Sequence, residues 1–176
     1  MKMALFDITD LKLIDGDFQI KLHEHSPYVS VDDFIEDEKK YFYEEQGEML
    51  FTHFGVSGPT VLSASTHLKG EGCRLVIDLK PALDEQKLDA RLVREFAERS
   101  NQDFQNILGG LVPRLMVPVM VQLTEIPGHT KGHEISKGQR RKLLETLKGL
   151  TIHITGPRPL SDAIVTAGGV KTGEID

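Results

Sequence analysis

The stretch GEMLFTHFGVSGPTVL, residues 47–62, is decisive for the fold because a strand pattern changes into a helix pattern within it. Apolar residues dominate its first half, and Gly55 and Gly58 then interrupt the strand. Pro59 suits the first position of a helix, since its missing N–H needs no partner there. The sequence therefore predicts a strand-to-helix turn from Thr52 to Pro59.

Short strands are predicted on both sides of this turn. Apolar residues alternate around Asp15-Gly16-Asp17, which is typical of a hairpin. KYFYEE (40–45) and EMLFTHF (48–54) form a second pair of strand patterns, with Gly47 between them. Two more strand patterns follow, at CRLVIDL (73–79) and LTIHIT (150–155).

The segment between these last two strands has helical patterns with recognisable caps. Asp84 is a suitable N-cap for a helix that runs to about Arg99. The apolar face of this helix is formed by Leu88, Leu92, Val93 and Phe96. Ser136 and Gln139 form a capping-box pattern, which predicts a second clear helix that ends near Lys148.

Strand patterns thus enclose a helical insertion. We predict an α+β fold with a β-barrel-like subdomain built from residues 1–81 and 150–176, and a small all-helical subdomain from 82–149. Two tandem domains would not explain why strand patterns return at the end of the chain. A length of 176 residues is enough for one sizeable core.

Composition and charge argue against several classes of function. The net charge of -6 disfavours a protein that binds nucleic acid over its whole surface, although it is compatible with a local basic patch. A single cysteine, Cys73, forms no internal disulfide and no multi-cysteine metal site. No signal peptide is visible, and the most apolar stretch (111–123) is too short for a membrane span. We expect a cytoplasmic protein without a membrane partner.

The strand-to-helix turn is the best local candidate for a functional site. Gly55 and Gly58 allow backbone amides to approach a ligand closely, and a helix N-terminus favours an anion or a polarised oxygen. Thr52, His53 and Ser57 add side-chain donors, and an imidazole titrates near neutral pH. The alternative is a tight turn whose glycines only satisfy backbone geometry.

Three weaker patterns lie elsewhere in the chain. AIVTAGGV (163–170) runs into a glycine pair, which indicates either a close approach to a ligand or a simple strand end. His129, His133 and Glu134 do not have the order of a helical zinc motif, so we predict no metal site. A local excess of positive charge either contacts phosphate or an acidic partner, or is a solvated helix face. Its cations are Lys131, Lys137, Arg140, Arg141, Lys142 and Lys148.

Two segments carry a resemblance to a known family. GEMLFTHFGVSGPTVL (47–62) and GPRPLSDAIVTAGGVKTGEID (156–176) resemble segments of bacterial NAD(P)/FAD-dependent oxidoreductases, also named NAD(FAD)-utilizing dehydrogenases or the aminoacetone oxidase family. In that family an insert of a barrel-like part and a helical part separates two FAD-binding segments. The resemblance implies that this chain is the insert alone, begins where the insert begins and ends where the second FAD segment follows.

The resemblance also implies how such an insert acts in the parent flavoprotein. It implies that the insert caps the substrate, has no redox activity by itself and binds no cofactor, while FAD is held by the parent. Whether NAD(P)H supplies the electrons stays open. The expected partners are the FAD-binding domain of the same polypeptide and a small-molecule substrate, with no nucleic acid.

Individual residues receive roles in that parent protein. His53 is the candidate proton donor or acceptor. The candidate flavin-facing residues are Thr166, Gly168 and Gly169. The candidate substrate-facing residues are Thr52, Gly55, Ser57 and Gly58.

Two other functions stay open at this point. A stand-alone binding module would use the basic helix at 136–148 to bind RNA or an acidic protein partner. A small hydrolase would use His53 and Ser57, although Gly55-Val56-Ser57-Gly58 lacks the Gly-x-Ser-x-Gly spacing of a nucleophile elbow.

Overall fold

The computed structural model describes residues 14–24, 41–52, 55–68 and 73–163, and its strands form one five-stranded sheet. The order across the sheet is β3-β2-β1-β4-β5, and every neighbouring pair is antiparallel. The strands are β1 (Ile14–Glu24), β2 (Tyr41–Thr52), β3 (Gly55–Ser57), β4 (Cys73–Asp78) and β5 (Leu150–Ile154).

The predicted mixture of α and β structure is confirmed, but the described strands form an open sheet. A closed barrel requires its first and last strands to pair. Among the described residues, β3 pairs only with β2 and β5 only with β4. The predicted barrel-like closure is therefore not seen in this part of the chain, where one edge strand has only three residues.

The predicted hairpin at Asp15-Gly16-Asp17 is wrong, because β1 runs through these residues without a turn. Its pairing with β2 begins at Ile14, opposite Phe51, and continues past Gly16, opposite Met49. The neighbouring strand β2 is long enough to pair with β1 on both sides of Gly16. Pairing across the sheet therefore overrides the local turn preference of Asp-Gly.

The predicted separation of two strands at Gly47 is also wrong, because β2 is one continuous strand of 12 residues. A Cβ atom on Gly47 would lie 3.3 Å from Oγ1 of Thr60, which belongs to the helix α1 (Pro59–Ser65). A glycine within a strand often marks such a close approach by another element. This glycine lets α1 pack closely on the sheet.

The helices follow the predicted caps closely. After α1 they are α2 (Glu85–Glu98), α3 (Phe104–Leu108), α4 (Val117–Thr124) and α5 (Lys137–Lys148), with 3-10 turns at Arg114–Met116, Gly132–Glu134 and Leu160–Asp162. Asp84 accepts a hydrogen bond of 2.8 Å from the backbone N–H of Lys87. Ser136 and Gln139 form the predicted capping box at α5. Val93 was wrongly assigned to the buried face of α2, since it is 44% exposed.

Buried side chains of the sheet and the helices belong to one apolar cluster. It includes Ile20 and Phe51 from the sheet, and Leu92 and Leu147 from the helices. The backbone N–H of Leu79 donates to the carbonyl of Leu147 at 2.8 Å, which ties the end of β4 to α5. The division of the chain into two subdomains stays a prediction. Of the helices in the described ranges, none is both long and apolar enough to span a bilayer.

Candidate functional site

The predicted strand-to-helix turn contains a short strand, which the sequence analysis missed. Thr52 at the end of β2 pairs with Gly55 at the start of β3, and Oγ1 of Thr52 donates to the carbonyl of Gly55 at 3.0 Å. The two residues that connect these strands, His53 and Phe54, lie outside the described residues. The chain therefore folds back along β2 before the helix begins.

Gly58 fixes the start of α1 against β2. Its φ is +100°, and a Cβ atom there would lie 3.0 Å from Cα of Met49 and 3.1 Å from the carbonyl oxygen of Glu48. Helix α1 begins at Pro59, as predicted. The hydroxyl of Thr60 donates to the same Glu48 carbonyl, so two neighbouring residues hold the helix on the strand.

A pocket of about 200 Å³ lies between α1 and the sheet. Four parts of the chain line it. They are β3, helix α1 together with Leu68, strands β1 and β4, and the end of β5 with the residues that follow it. The lining residues are Ile20, Gly55, Val56, Val61, Ala64, Ser65, Leu68, Cys73, Leu75 and residues 153–158. Segments far apart in the sequence therefore meet at one small cavity.

The inner surface of this pocket is mainly aliphatic, and its polar groups are largely occupied. The hydroxyl of Ser65 donates to the carbonyl of Leu62 at 2.7 Å. Apart from Cys73, the titratable residues of the described lining are His153 and Arg158, and both are exposed. Arg158 forms an ion pair with Asp162 at 2.7 Å. Such a cavity suits an apolar group, with polar interactions confined to its exposed side chains.

Cys73 lies in the pocket wall as a neutral thiol. The residue is 3% exposed, and burial raises the pKa of its thiol above the ordinary value. Because the thiolate is the reactive form, a raised pKa and poor access both slow its reaction with electrophiles.

We expect Cys73 to react slowly with a disulfide reagent such as dithionitrobenzoate in the folded chain and rapidly in denaturant. The chain has one cysteine, so the released chromophore reports this thiol alone. Equal rates in the folded and unfolded chain would contradict its placement in the wall of the pocket.

The structure brings one predicted substrate-facing residue, Gly55, into the pocket lining. Its φ is +142°, and a Cβ atom there would meet nothing within 4 Å. The predicted residues Thr52, Ser57 and Gly58 are described but are not among the lining residues. The predicted residues His53, Thr166, Gly168 and Gly169 lie outside the described residues, so their roles stay predictions.

Sequence reasoning missed most of the pocket, because its lining comes from residues without a local pattern. Ala64, Leu68 and Ile154 are ordinary apolar residues whose convergence depends on the tertiary fold. One signal was available at Gly156, in the connector GPRP. Its φ is +153° and the space around its Cα is open, so a glycine there lets the chain leave β5 beside the pocket.

The basic region that the sequence singled out is mostly neutralised by carboxylates. Five of its six cations form ion pairs, and within the described ranges Lys137 has none. The pairs are Lys131–Asp103, Arg140–Asp89, Arg141–Glu145, Lys142–Glu125 and Lys148–Asp78. Four of these pairs join segments that are distant in the chain, and most of the positive charge of this region is therefore offset by a nearby carboxylate.

The histidines at 129 and 133 show no metal-binding arrangement. The described residues include no group of three or more His, Cys, Asp or Glu side chains that could hold an ion. Nδ1 of His133 lies 2.8 Å from the carbonyl oxygen of Ser100, and the backbone N–H of His133 donates to that same carbonyl.

Comparison with known families adds the decisive observation. Residues 27–165 match the family described as "HI0933-like protein barrel and H2TH domain". The chain belongs to this family. The match covers most of the chain, including every described helix and all of the pocket lining except Ile20, and it places the chain among oxidoreductase-related domains.

Two curated relatives of this HI0933-like chain have named activities. The 3-dehydro-bile acid delta(4,6)-reductase of Clostridium scindens is 26% identical over 137 residues, which are 75% of this chain and 34% of that protein. The ribosomal RNA dihydrouridine synthase of Escherichia coli is 32% identical over 127 residues, which are 72% of this chain and 30% of that protein. The chain thus spans about a third of the length of these relatives.

Proposed function

We propose that this HI0933-like chain is the substrate-capping domain inserted into a FAD-dependent oxidoreductase. One observation carries the proposal: the two segments that resemble flavoproteins, 47–62 and 156–176, both contribute to the same pocket. Gly55, Val56 and Val61 come from the first segment, and residues 156–158 come from the second. A shared cavity is a reason for two distant segments to keep a family pattern.

The pocket is too small for FAD, so we propose that the cofactor is held by other parts of the parent protein. Small-molecule pockets usually measure about 300–1,000 Å³. A cavity of about 200 Å³ is below that range and accepts only part of a substrate. The chain alone is then expected to have no redox activity and to retain no FAD.

The proposed role of the pocket is to hold an apolar part of the substrate and to exclude water from it. Its aliphatic side chains favour an apolar group by the hydrophobic effect. His53, which connects β2 to β3, is proposed to give or take a proton at the reacting substrate. Thr52 and Gly55 lie on either side of the two-residue connection that contains His53. The hydrogen bond from Oγ1 of Thr52 to the carbonyl of Gly55 stabilises both ends of this connection.

A tryptophan placed in the pocket wall of the intact flavoprotein tests whether the pocket opens toward the flavin. Ser65 lines the pocket and is exposed, so Ser65→Trp is expected to be tolerated. This chain contains no tryptophan, so the new indole is the one introduced quencher within it. We expect Ser65→Trp to reduce the fluorescence of bound FAD, because an aromatic ring near the isoalloxazine quenches it.

Val93→Trp is the matched control, since Val93 is also exposed and helical but lies on α2, outside the pocket. It is expected to leave FAD fluorescence unchanged. Equal fluorescence of both variants and the parent protein, at equal FAD content, would count against a pocket that faces the flavin. Purification of the isolated 176-residue chain with bound FAD would contradict the proposal that other parts of the parent protein hold the cofactor.

RNA binding is a second candidate function, favoured by the name of the Escherichia coli relative. The basic helix first considered for it, α5, is a poor RNA surface because most of its cations are paired with carboxylates. Any RNA contact by this chain therefore requires cations at another place in the fold.

A further inference from the structure

One face of helix α1 forms a wall of the pocket. Its lining residues are spaced at i, i+3, i+4 and i+7, and they are Val61, Ala64, Ser65 and Leu68. Residues at this spacing lie on the same side of a helix. The backbone N–H of Leu68 donates to the carbonyl of Ser65 at 3.3 Å, which continues the turn beyond the end of the helix. A single short stretch of sequence therefore shapes this wall.

The least exposed part of the lining consists of apolar side chains from α1 and the sheet. Its four buried residues are each at most 3% exposed, and they are Ile20, Ala64, Cys73 and Leu75. Ala64 is the smallest of the four. Because it lines the cavity, a longer side chain at this position would extend into the open space. The size of the side chain at position 64 therefore limits the space that is left for a ligand.

The polar side chains of the lining are all on its exposed side. Besides the Cys73 thiol, those of the described lining belong to Ser65, His153, Thr155 and Arg158. Ser65 already donates its hydroxyl to the carbonyl of Leu62. In the ranges that the structure describes, every buried side-chain nitrogen or oxygen has a hydrogen-bond partner. A ligand group with several polar atoms would therefore lose water in this pocket and gain few hydrogen bonds.

A planar polar ring has a second disadvantage in this pocket. Proteins usually bind nucleobases by stacking them on aromatic side chains and by hydrogen bonds to their edges. The described lining includes no Phe, Tyr or Trp side chain. A hydrocarbon group needs neither kind of contact, since it is stabilised by removal from water and by packing against aliphatic side chains. The lining therefore favours a hydrocarbon over a polar heterocycle.

The volume of the pocket indicates the size of the group that it accepts. A cavity of about 150 Å³ lined by Leu, Ile and Phe remains dry and binds benzene. The pocket of this chain measures about 200 Å³. One six-membered hydrocarbon ring, or an alkyl group of similar size, therefore fits. The remainder of a larger substrate extends past the exposed residues of the lining.

We infer that the pocket binds a hydrocarbon group of the substrate, of about the size of one six-membered ring, and that Ala64 limits the size of this group. This inference rests on the proposed function, because it names the class of substrate that the capping domain accepts. Ala64 is then a specificity-determining residue, which acts through the space that its small side chain leaves open.

Two fluorinated probes with rings of equal size test this inference by ¹⁹F NMR on the intact flavoprotein. Fluorobenzene has no polar group besides its fluorine, whereas 5-fluorouracil carries two amide groups on a six-membered ring. We expect saturable binding of fluorobenzene. Ala64→Leu is expected to weaken it about tenfold or more, since a misfit of one methylene in an apolar pocket already costs about that much. Any binding of 5-fluorouracil is expected to be the same in the parent protein and in Ala64→Leu.

Ala97→Leu is the matched control, because Ala97 is an exposed residue of α2 and lies outside the pocket lining. It adds the same atoms and is expected to leave the binding of both probes unchanged. Circular dichroism and thermal unfolding show whether each variant is folded. If Ala64→Leu is not, Val61→Phe adds bulk to the same face of α1 at a partly buried position, and the same loss of fluorobenzene binding is expected.

The inference is overturned if the parent protein does not bind fluorobenzene, or if a folded Ala64→Leu or Val61→Phe variant binds it equally well. Binding of 5-fluorouracil that Ala64→Leu weakens would also overturn it. Failure of the proposed function gives a different result: Ser65→Trp leaves FAD fluorescence unchanged while fluorobenzene binds as expected, so the hydrocarbon site is kept but does not face the flavin. Quenching by Ser65→Trp in a pocket that takes 5-fluorouracil would keep the proposed function and remove the hydrocarbon preference.

Discussion

Lys148→Met is expected to lower the free energy of unfolding by about 3 kcal/mol or more, since it leaves a buried carboxylate without its cation. Nζ of Lys148 donates to Asp78, to the carbonyl of Leu83 at 2.7 Å and to the carbonyl of Lys80 at 3.3 Å. Both side chains of the pair are largely buried, at 19% and 12% exposure. A methionine fills similar space but satisfies none of these acceptors.

The same interactions explain why this lysine matters for the arrangement of the fold. Asp78 ends β4 and accepts a hydrogen bond of 2.7 Å from the backbone N–H of Lys80. Lys148 ends α5, where a cation also interacts favourably with the helix dipole. One ion pair therefore joins the last residue of a strand to the last residue of a helix, beside the Leu79–Leu147 backbone bond.

Thermal unfolding measures the effect, because about 1 kcal/mol corresponds to roughly 2–4 °C for a chain of this size. The control Arg141→Met removes an ion pair that is more than half exposed, and it is expected to cost less than about 1 kcal/mol. Asp78→Asn combined with Lys148→Met is expected to recover part of the loss, since no unpaired charge stays buried. An unchanged midpoint for Lys148→Met would refute the structural role of the pair.

The helices were predictable from the sequence because their signals are local. A helix is stabilised by caps and by an apolar face within a dozen residues, and both are visible at Asp84 and Ser136. The one wrong residue, Val93, is adjacent in sequence to the buried Leu92, and a step of about 100° moves it off the buried face.

The strands were harder to predict because their partners are distant in the chain. Gly16 suggested a turn and Gly47 a break between two strands, yet each lies inside a long strand of the same pair. Their roles depend on what crosses the sheet at that point, as the close approach of Thr60 to Gly47 shows. The local sequence shows the glycine, but it does not show which helix packs on the strand at that position.

The candidate site shows the same division between local and distant information. Gly55 was predicted as a site residue from its own surroundings, and it lines the pocket. Leu75 and Ile154 were assigned to strands, but their joint presence in the pocket follows from the register of β4 and β5. Likewise, the pairing of the α5 cations with carboxylates on other segments was hidden until the helices were packed.

Gly58→Ala is expected to lower the free energy of unfolding by about 3 kcal/mol, through backbone strain and a direct clash. A φ of +100° is rarely adopted by residues with a Cβ atom, and holding such a conformation costs roughly 1–3 kcal/mol. The added Cβ would lie 3.0 Å from Cα of Met49 and 3.1 Å from the backbone N of Leu50. These are backbone atoms of β2, so no side-chain rotation can relieve the contact.

Gly138→Ala is the control that separates this strain from a general effect of replacing glycine. Gly138 is exposed in the first turn of α5, and the nearest atom to a new Cβ is Oγ of Ser136 at 4.0 Å. Alanine there is expected to stabilise the chain by up to about 1 kcal/mol, because it restricts the unfolded state and favours the helix. Opposite signs in thermal unfolding would support the fixed packing of α1 on β2. A stable Gly58→Ala variant would refute it, and with it the wall of the pocket that α1 supplies.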